Sequence, residues 1–299
     1  MTHHIEIIGV GNELLIGKIA NTNAQWLAKR ITAMGLTVSR MTVIGDDTSE
    51  ISKAIREALK RKPKIIITTG GLGPTFDDKT LEGIAKALHS RCKVNSEAMK
   101  MIEEKYRQYL EEGRIEEKVE LTPPRVKMAS IPEDAKPLHN PVGTAPGVLI
   151  KHDDTTIIAL PGVPREMEAI FDESIQPMLK KMAGNAVFFE TSMALEDVME
   201  SDLAPLIDMT MHDNPYIYIK SHPGRRSEGK SHLELHLTTT AQDSDTAKKR
   251  VTKALLQITG LVEEAKPGKI RLKKNQGIRF LSISPFHRRT ILFFRPISQ

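Results

Sequence analysis

Between His4 and Leu88 short β-branched apolar runs alternate three times with segments of helical periodicity, and few folds accommodate that order. His4–Val10 reads as a strand. Asn21–Met34 then carries Trp26, Leu27, Ile31 and Met34 at helical spacing and stops at Gly35. Leu36–Ile44 is extended, Thr48–Leu59 is helical with Thr48 or Ser49 as cap, and Lys64–Ile67 reads as a buried strand. A third helical pattern follows with Leu81, Ile84, Ala85 and Leu88. Strands and helices in this succession imply parallel strands with right-handed crossovers. The expected fold is a three-layer, doubly wound α/β domain, whose ligands bind beyond the carboxyl ends of the strands.

The remaining chain extends that domain and adds a second. Ser96–Glu112 reads as a charged helix, while Pro123-Pro124 and Asn140–Gly147 read as turns or loops. Gly147–Lys151 and Thr156–Leu160 form a strand pair about an Asp153-Asp154 hairpin turn, and Pro161–Arg165 opens a helix over Glu166–Met182. After residue 182 the pattern is strand (Val187–Met193), helix (Glu196–Met209), strands (Tyr216–Ser221, His232–Thr239) and helix (Ser244–Ile258). The expected division is an α/β domain over 1–182, a small α+β domain over 183–262 and a basic tail over 263–299.

Charge is unevenly placed. The chain has 43 Lys and Arg against 38 Asp and Glu, but nine of the basic residues and no acid lie after Glu264, so residues 1–264 carry 34 against 38. The basic character belongs to the tail, where contact with nucleic acid, a poorly ordered extension and an altered reading frame are the competing readings. The lone Cys92 rules out an internal disulfide framework, and the low aromatic content argues against a base-stacking platform. With no secretory signal or apolar span visible, a cytoplasmic protein without membrane partners is expected.

The segment Thr68–Thr80 gathers the chemistry. Gly70, Gly71 and Gly73 between a strand and a helix let backbone N–H groups approach an anion, and the helix N-terminus adds a positive dipole end. Asp77 and Asp78 follow; either could cap the next helix, but two adjacent acids repel unless a cation relieves them. Each neighbouring strand end adds similar groups: Gly9, Gly11, Asn12 and Glu13; Gly45, Asp46 and Asp47; Pro161, Gly162, Arg165 and Glu166. Together they suggest a phosphate-and-metal site, with Asp46 and Asp47 alternatively capping a helix. His232, Glu234 and His236 alternate on one strand face; a solvated face explains them more simply than metal ligation. No Ser-His-Asp or Cys-His spacing is readable, so acyl chemistry has no support.

Three ordered motifs resemble a known family: Gly11-Asn12-Glu13-Leu14-Leu15-x-Gly17 with Asn21-Thr22-Asn23; Thr69-Gly70-Gly71-Leu72-Gly73-Pro74-Thr75-x-Asp77-Asp78-x-Thr80; and Leu160-Pro161-Gly162-Val163-Pro164-x-Glu166-Met167. They are similar to the N-terminal region of CinA-like proteins, within the molybdopterin-binding superfamily that includes MoaB and MogA. The resemblance is strong over residues 4 to 180 and extends to about 262. It implies a MoaB/MogA-like fold, a homo-oligomer (dimer or trimer), and a nucleotide-diphosphate or pterin ligand. It also implies a divalent metal (Mg2+, Mn2+ or Co2+). Some CinA-like relatives hydrolyse ADP-ribose to AMP and ribose 5-phosphate, and the adenylyltransferases need the aspartate matching Asp78. Nothing after residue 262 resembles the nicotinamide-mononucleotide deamidase domain of longer CinA proteins. The expected roles are therefore catalysis by Asp78 and Asp77 and metal binding by Asp46, Asp47 and Asp78. Nucleotide or phosphate binding is expected from Gly11, Asn12, Glu13, Asn23, Thr69, Gly70, Gly71, Gly73, Thr75, Lys79, Pro161, Gly162 and Arg165. The expected activity is a metal-dependent ADP-ribose pyrophosphatase, the alternatives being pterin adenylylation and a non-catalytic nucleotide-binding module.

Overall fold

The computed structural model describes residues 4–115, 120, 122–224 and 231–271. Two compact units emerge, one within Met1–Thr32 and Leu36–Met182, the other within Ala33–Gly35 and Ala183–Gln299.

The first unit runs β1 (His4–Val10), α1 (Asn12–Leu15), α2 (Thr22–Ala33), β2 (Thr37–Ile44), α3 (Thr48–Lys60), β3 (Ile65–Thr69) and α4 (Thr80–Ala87). It continues with β4 (Cys92–Val94), α5 (Ser96–Glu111), α6 (Pro123–Met128), β5 (Ser130–Pro132), β6 (Lys136–Leu138), β7 (Gly147–His152) and β8 (Thr155–Leu160). It closes with α7 (Pro164–Ile170), a π-helical turn at Phe171–Ile175, and α8 (Gln176–Ala183). The main sheet has the order β2-β1-β3-β8-β7-β6. β2, β1, β3 and β8 are parallel, while β7 and β6 are antiparallel additions. Four consecutive positions in the sheet therefore carry the four strand ends rich in glycine and acid.

Burial follows the alternation of the strands. Ile8, Val10, Ile66, Ile157 and Ala159 share one core with Ile51 and Ile55 of α3, Ile84 of α4 and Ile102 of α5. Each such isoleucine contributes roughly 1.5–3 kcal/mol by leaving water. On the opposite face Ile5, Ile7, Ile65, Ile67, Ile158 and Leu160 are buried. α2 and α7 lie on this side, where Trp26 meets Phe171 edge-to-face at 5.1 Å and Arg30 pairs with Asp172. The three-layer α/β architecture expected from the alternation is the one observed.

Local differences have local causes. Pro123-Pro124, expected as a turn, opens α6; its first turn needs no N–H from either proline and accepts their fixed φ. The cap of α3 is Asp47, not Thr48 or Ser49, because Asp47 is still extended and its carboxylate receives the N–H groups of Ser49 (2.8 Å) and Glu50 (3.0 Å). Glu6, buried within β1, receives two 2.7 Å bonds from the Arg61 guanidinium at the end of α3.

The second unit contains β9 (Val187–Glu196), α9 (Glu200–Asp213), β10 (Tyr218–Pro223), β11 (His232–Ala241), α10 (Ser244–Ala265) and β12 (Ile270–Arg271). Its antiparallel sheet has the order β10-β11-β9-β12. β9 runs three residues beyond the strand expected to end at Met193, since Ala194, Leu195 and Glu196 keep pairing with β11, and the helix expected from Glu196 starts at Glu200. α10 runs past Ile258 to Ala265, and Ile270 pairs with Leu195, so ordered structure passes residue 262. The expectations for the rest of the basic tail, 272–299, lie outside the described residues. Among the described residues no helix is long and apolar enough to cross a membrane.

Candidate functional site

The site is built where β2, β1, β3 and β8 end side by side. β3 leads into Gly70 and Gly71, both at positive φ (108° and 68°). A Cβ on Gly70 would stand 2.1 Å from the Val10 carbonyl oxygen, and one on Gly71 would stand 2.3 Å from Thr80 Oγ1. The strand ends touch backbone to backbone, which only glycine permits. Thr80 then clasps the turn, its hydroxyl donating to the Gly70 carbonyl (2.8 Å) and its N–H to the Gly71 carbonyl (3.1 Å).

The turn's amides differ in their partners. The Gly70 N–H donates to the Leu160 carbonyl (3.0 Å), so it serves the sheet and is lost to the expected anion cradle. The N–H groups of Gly71, Leu72 and Gly73 have no protein acceptor among the described residues. Successive backbone N–H groups without a protein acceptor are the donors an anion takes up in a glycine turn.

Asp77 and Asp78 do not cap α4, whose N-cap position is Lys79. They turn back on Thr75 instead. Asp78 Oδ2 accepts the Thr75 N–H (2.8 Å) and lies 2.6 Å from its hydroxyl, which also contacts Asp77. That hydroxyl has one proton, so it serves one carboxylate at a time. Thr75 thereby fixes both acids; its own polar groups are occupied. The Thr75 hydroxyl beside Asp77, aided by the charges of Lys127 and Lys79, holds its carboxyl below the usual range.

The adjoining strand ends are tied in turn. Asn12 and Asp46 join β1 to β2: the Asn12 N–H donates to Asp46 Oδ2 (2.8 Å), and the Asp46 N–H donates to Asn12 Oδ1 (3.4 Å). The Asn23 amide donates to Thr69 Oγ1 (2.9 Å) and the Gly162 carbonyl (2.8 Å), while the Thr69 hydroxyl reaches the Pro161 carbonyl (3.2 Å). Asn23, Thr69, Pro161 and Gly162 are thus staples between α2, β3 and the segment after β8. Asn21, by contrast, does cap α2, accepting the Ala24 N–H (3.1 Å). Glu13 is exposed, with its carboxylate over Gly11. Arg165 is exposed and makes no ion pair among the described residues.

Electrostatics marks this end as acidic. Burial pushes the Asp46 carboxyl above its usual range; the Asn12 N–H pulls it down, and Glu13, Asp77 and Asp78 push it up again. Asp47, of the expected metal set, is directed elsewhere: its carboxylate caps α3 and is held low by the Glu50 and Ser49 amides. Among the described residues no three His, Cys, Asp or Glu side chains form a group able to hold a metal. Asp46 and Asp78 remain. One or two carboxylates are what a magnesium ion bound to substrate phosphates takes from a protein.

Two features escaped the sequence. Asn140 is buried; its amide donates to the Ala145 carbonyl and Glu166 Oε2 (both 2.8 Å), anchoring the Asn140–Gly147 loop to α7. Lys127 of α6 donates to the Thr75 carbonyl and, with Gly71, Gly73 and Asp78, lines a small cavity beside the glycine turn. The Asn-Pro-x-Gly spacing signalled the first only as a turn, and nothing local to Lys127 signals the second. In the second unit His232, Glu234 and His236 do share a strand face, but in contact with carboxylates: His236 with Glu190 (2.9 Å) and Glu234 (3.7 Å), His232 with Glu196 (3.6 Å).

A doubly wound α/β domain with glycine turns and carboxylates at the ends of its parallel strands has the layout in which such folds hold their ligands. The chain belongs to the family described as a probable molybdopterin binding domain, whose model matches residues 6–181. It is 43% identical over 262 residues to a protein of Pyrobaculum arsenaticum, covering 88% of this chain and 95% of that one. It is likewise 43% identical over 255 residues to a protein of Sulfurisphaera tokodaii, covering 85% and 93%. Among solved structures it is similar to the protein CinA, of unknown function, from Thermoplasma acidophilum: 40% identity and TM-score 0.54, over 60% of this chain and 98% of that one. The chain is CinA-like.

Proposed function

We propose that this chain is a metal-assisted nucleotide pyrophosphatase whose substrate is ADP-ribose or a similar nucleotide diphosphate. The observation that carries the reading is the set of Gly71, Leu72 and Gly73 amides without a protein acceptor among the described residues, beside an Asp46 carboxyl raised by burial and then by its neighbours Glu13, Asp77 and Asp78. Amides attract a phosphate; carboxylates repel one unless a cation mediates. In hydrolysis a water oxygen bonds to one phosphorus, the bridging P–O bond breaks, and the water proton passes to a base or to solvent. The three amides stabilise charge gathering on the phosphoryl oxygens. A divalent ion, held by Asp46 and Asp78, would polarise a phosphoryl oxygen. Asp77, held low by Thr75, is a weak proton acceptor, so its role is to orient the loop. Dimer or trimer formation remains part of this proposal, as do cytoplasmic location and a nucleotide or pterin as the natural ligand.

The test is purified protein with ADP-ribose and Mg2+, Mn2+ or Co2+, following AMP by chromatography. AMP should appear, vanish in EDTA, and fall at least about 100-fold in rate with Asp78→Asn, which keeps the Thr75 bonds. Unchanged turnover in that variant would remove Asp78 from the site. The family's description as a probable molybdopterin binding domain favours a second reading, adenylylation of a pterin. ATP with molybdopterin in a parallel tube decides it: adenylylated pterin without AMP release from ADP-ribose moves the protein to cofactor assembly. Ligand binding with both tubes silent leaves a nucleotide-binding module.

A further inference from the structure

We propose that Lys127 is the cation that engages a phosphate bound at the glycine turn, moving onto it from the Thr75 carbonyl. This rests on the reading that the turn binds phosphate. Lys127 stands on α6, outside the motifs that define the strand ends, yet its ammonium is bonded to the residue that fixes Asp77 and Asp78. It shares the small cavity with Gly71, Gly73, Asp78, Leu81 and Ser130. The free amides of Gly71 and Gly73 thus border the same cavity as the ammonium.

The bonding of Lys127 is incomplete in a telling way. An ammonium has three N–H donors, and a neutral carbonyl uses one. Lys127 makes no ion pair among the described residues, although it lies near enough to Asp77 to lower that carboxyl. A half-buried lysine with a neutral partner and two idle donors is poised for a stronger acceptor. A phosphate oxygen is such an acceptor, since it adds the attraction of opposite charges to the hydrogen bond, which a neutral carbonyl does not. The other expected cations are placed differently: Arg165 is exposed, and Lys79 lies close enough to lower both Asp47 and Asp77. The ligand class is a phosphomonoester or phosphoanhydride dianion, whatever group it carries.

The test uses the full chain and four probes by calorimetry: inorganic pyrophosphate, AMP, ADP-ribose and adenosine. Lys127→Met should weaken pyrophosphate and AMP at least about tenfold, Lys127→Arg should stay within about threefold, and adenosine affinity should not change. Loss of affinity for AMP and adenosine alike would show a structural effect through Thr75 and overturn the proposal, as would full affinity in Lys127→Met. Lys127→Gln gives the same comparison should Lys127→Met not fold. If the wild type binds pyrophosphate or AMP without hydrolysing ADP-ribose, the hydrolase reading falls alone and the variants still decide Lys127. If it binds no phosphate compound, both fall together.

Discussion

The two ends of the parallel sheet hold their carboxylates in opposite circumstances. Toward the amino end Glu6 is 3% exposed and accepts a bidentate guanidinium from Arg61, both oxygens at 2.7 Å. At the carboxyl end Asp46 has the Asn12 backbone N–H as its partner, and burial together with three nearby acids raises its carboxyl. The second unit resembles the amino end: Lys266 pairs with Asp202 (2.9 Å) and Lys269 with Asp197 (3.6 Å). For Glu6, Asp202 and Asp197 the fold supplies the counter-charge. Asp46, at the carboxyl end, makes no ion pair among the described residues and lies beside backbone amides without a protein acceptor.

The largest break in that contrast should come from the turn itself. Gly70→Ala places a Cβ 2.1 Å from the Val10 carbonyl at φ 108°, and a backbone atom in a strand end has no room to yield. It should cost about 3 kcal/mol or more in denaturant titrations, and phosphate binding with it. Gly17→Ala is the control: it has φ 69° but nothing within 4 Å of a Cβ, so its cost should be only about 1 kcal/mol. Equal losses would mean that the close approach of β1 and β3 is not what the glycine provides.

Next comes the opposite end. Arg61→Met strands the buried Glu6 carboxylate and should cost about 2–3 kcal/mol, discounted because the arginine is partly exposed. Glu6→Gln in the same chain should recover much of that loss. A negligible effect of Arg61→Met would erase the distinction between a compensated and an uncompensated end.

How much of this was legible follows from the range of each interaction. The alternation over residues 4–88 announced the layers, because period and burial are local properties of a segment. The acids and glycines of the site were readable since each follows a strand directly. Their division of labour was not. Asp47 differs from Asp46 only in which side of one peptide it sits, yet one caps α3 and the other faces Asn12, 34 residues away. Asn23 looked like a ligand residue and is a staple to Gly162, 139 residues distant. Lys127 was invisible because its partner Thr75 lies 52 residues back and its helix starts with two prolines. Tertiary distance, not residue type, separated site from scaffold.

The finest probe of the contrast is Asp46→Asn, which keeps an acceptor for the Asn12 N–H and removes one charge from the crowd. Asp46 titrates higher in the folded chain than in the unfolded one, so between those values the folded state binds more protons. The wild type therefore loses stability as pH rises through the interval just above 3.8, the ordinary value, and keeps that deficit at neutral pH. Below that interval Asp46 is neutral in both states, and variant and wild type should unfold alike. Above it Asp46→Asn should be the more stable chain, by at most about 0.5 kcal/mol for a substitution near the surface. Thermal unfolding of both chains across pH 3 to 7 measures the crossing. An asparagine variant less stable at neutral pH would show that the Asn12 contact outweighs the burial of the Asp46 charge and its repulsion from Glu13, Asp77 and Asp78. The carboxyl end would then be as well compensated as Glu6, and the electrostatic argument for a bound cation would lose its basis.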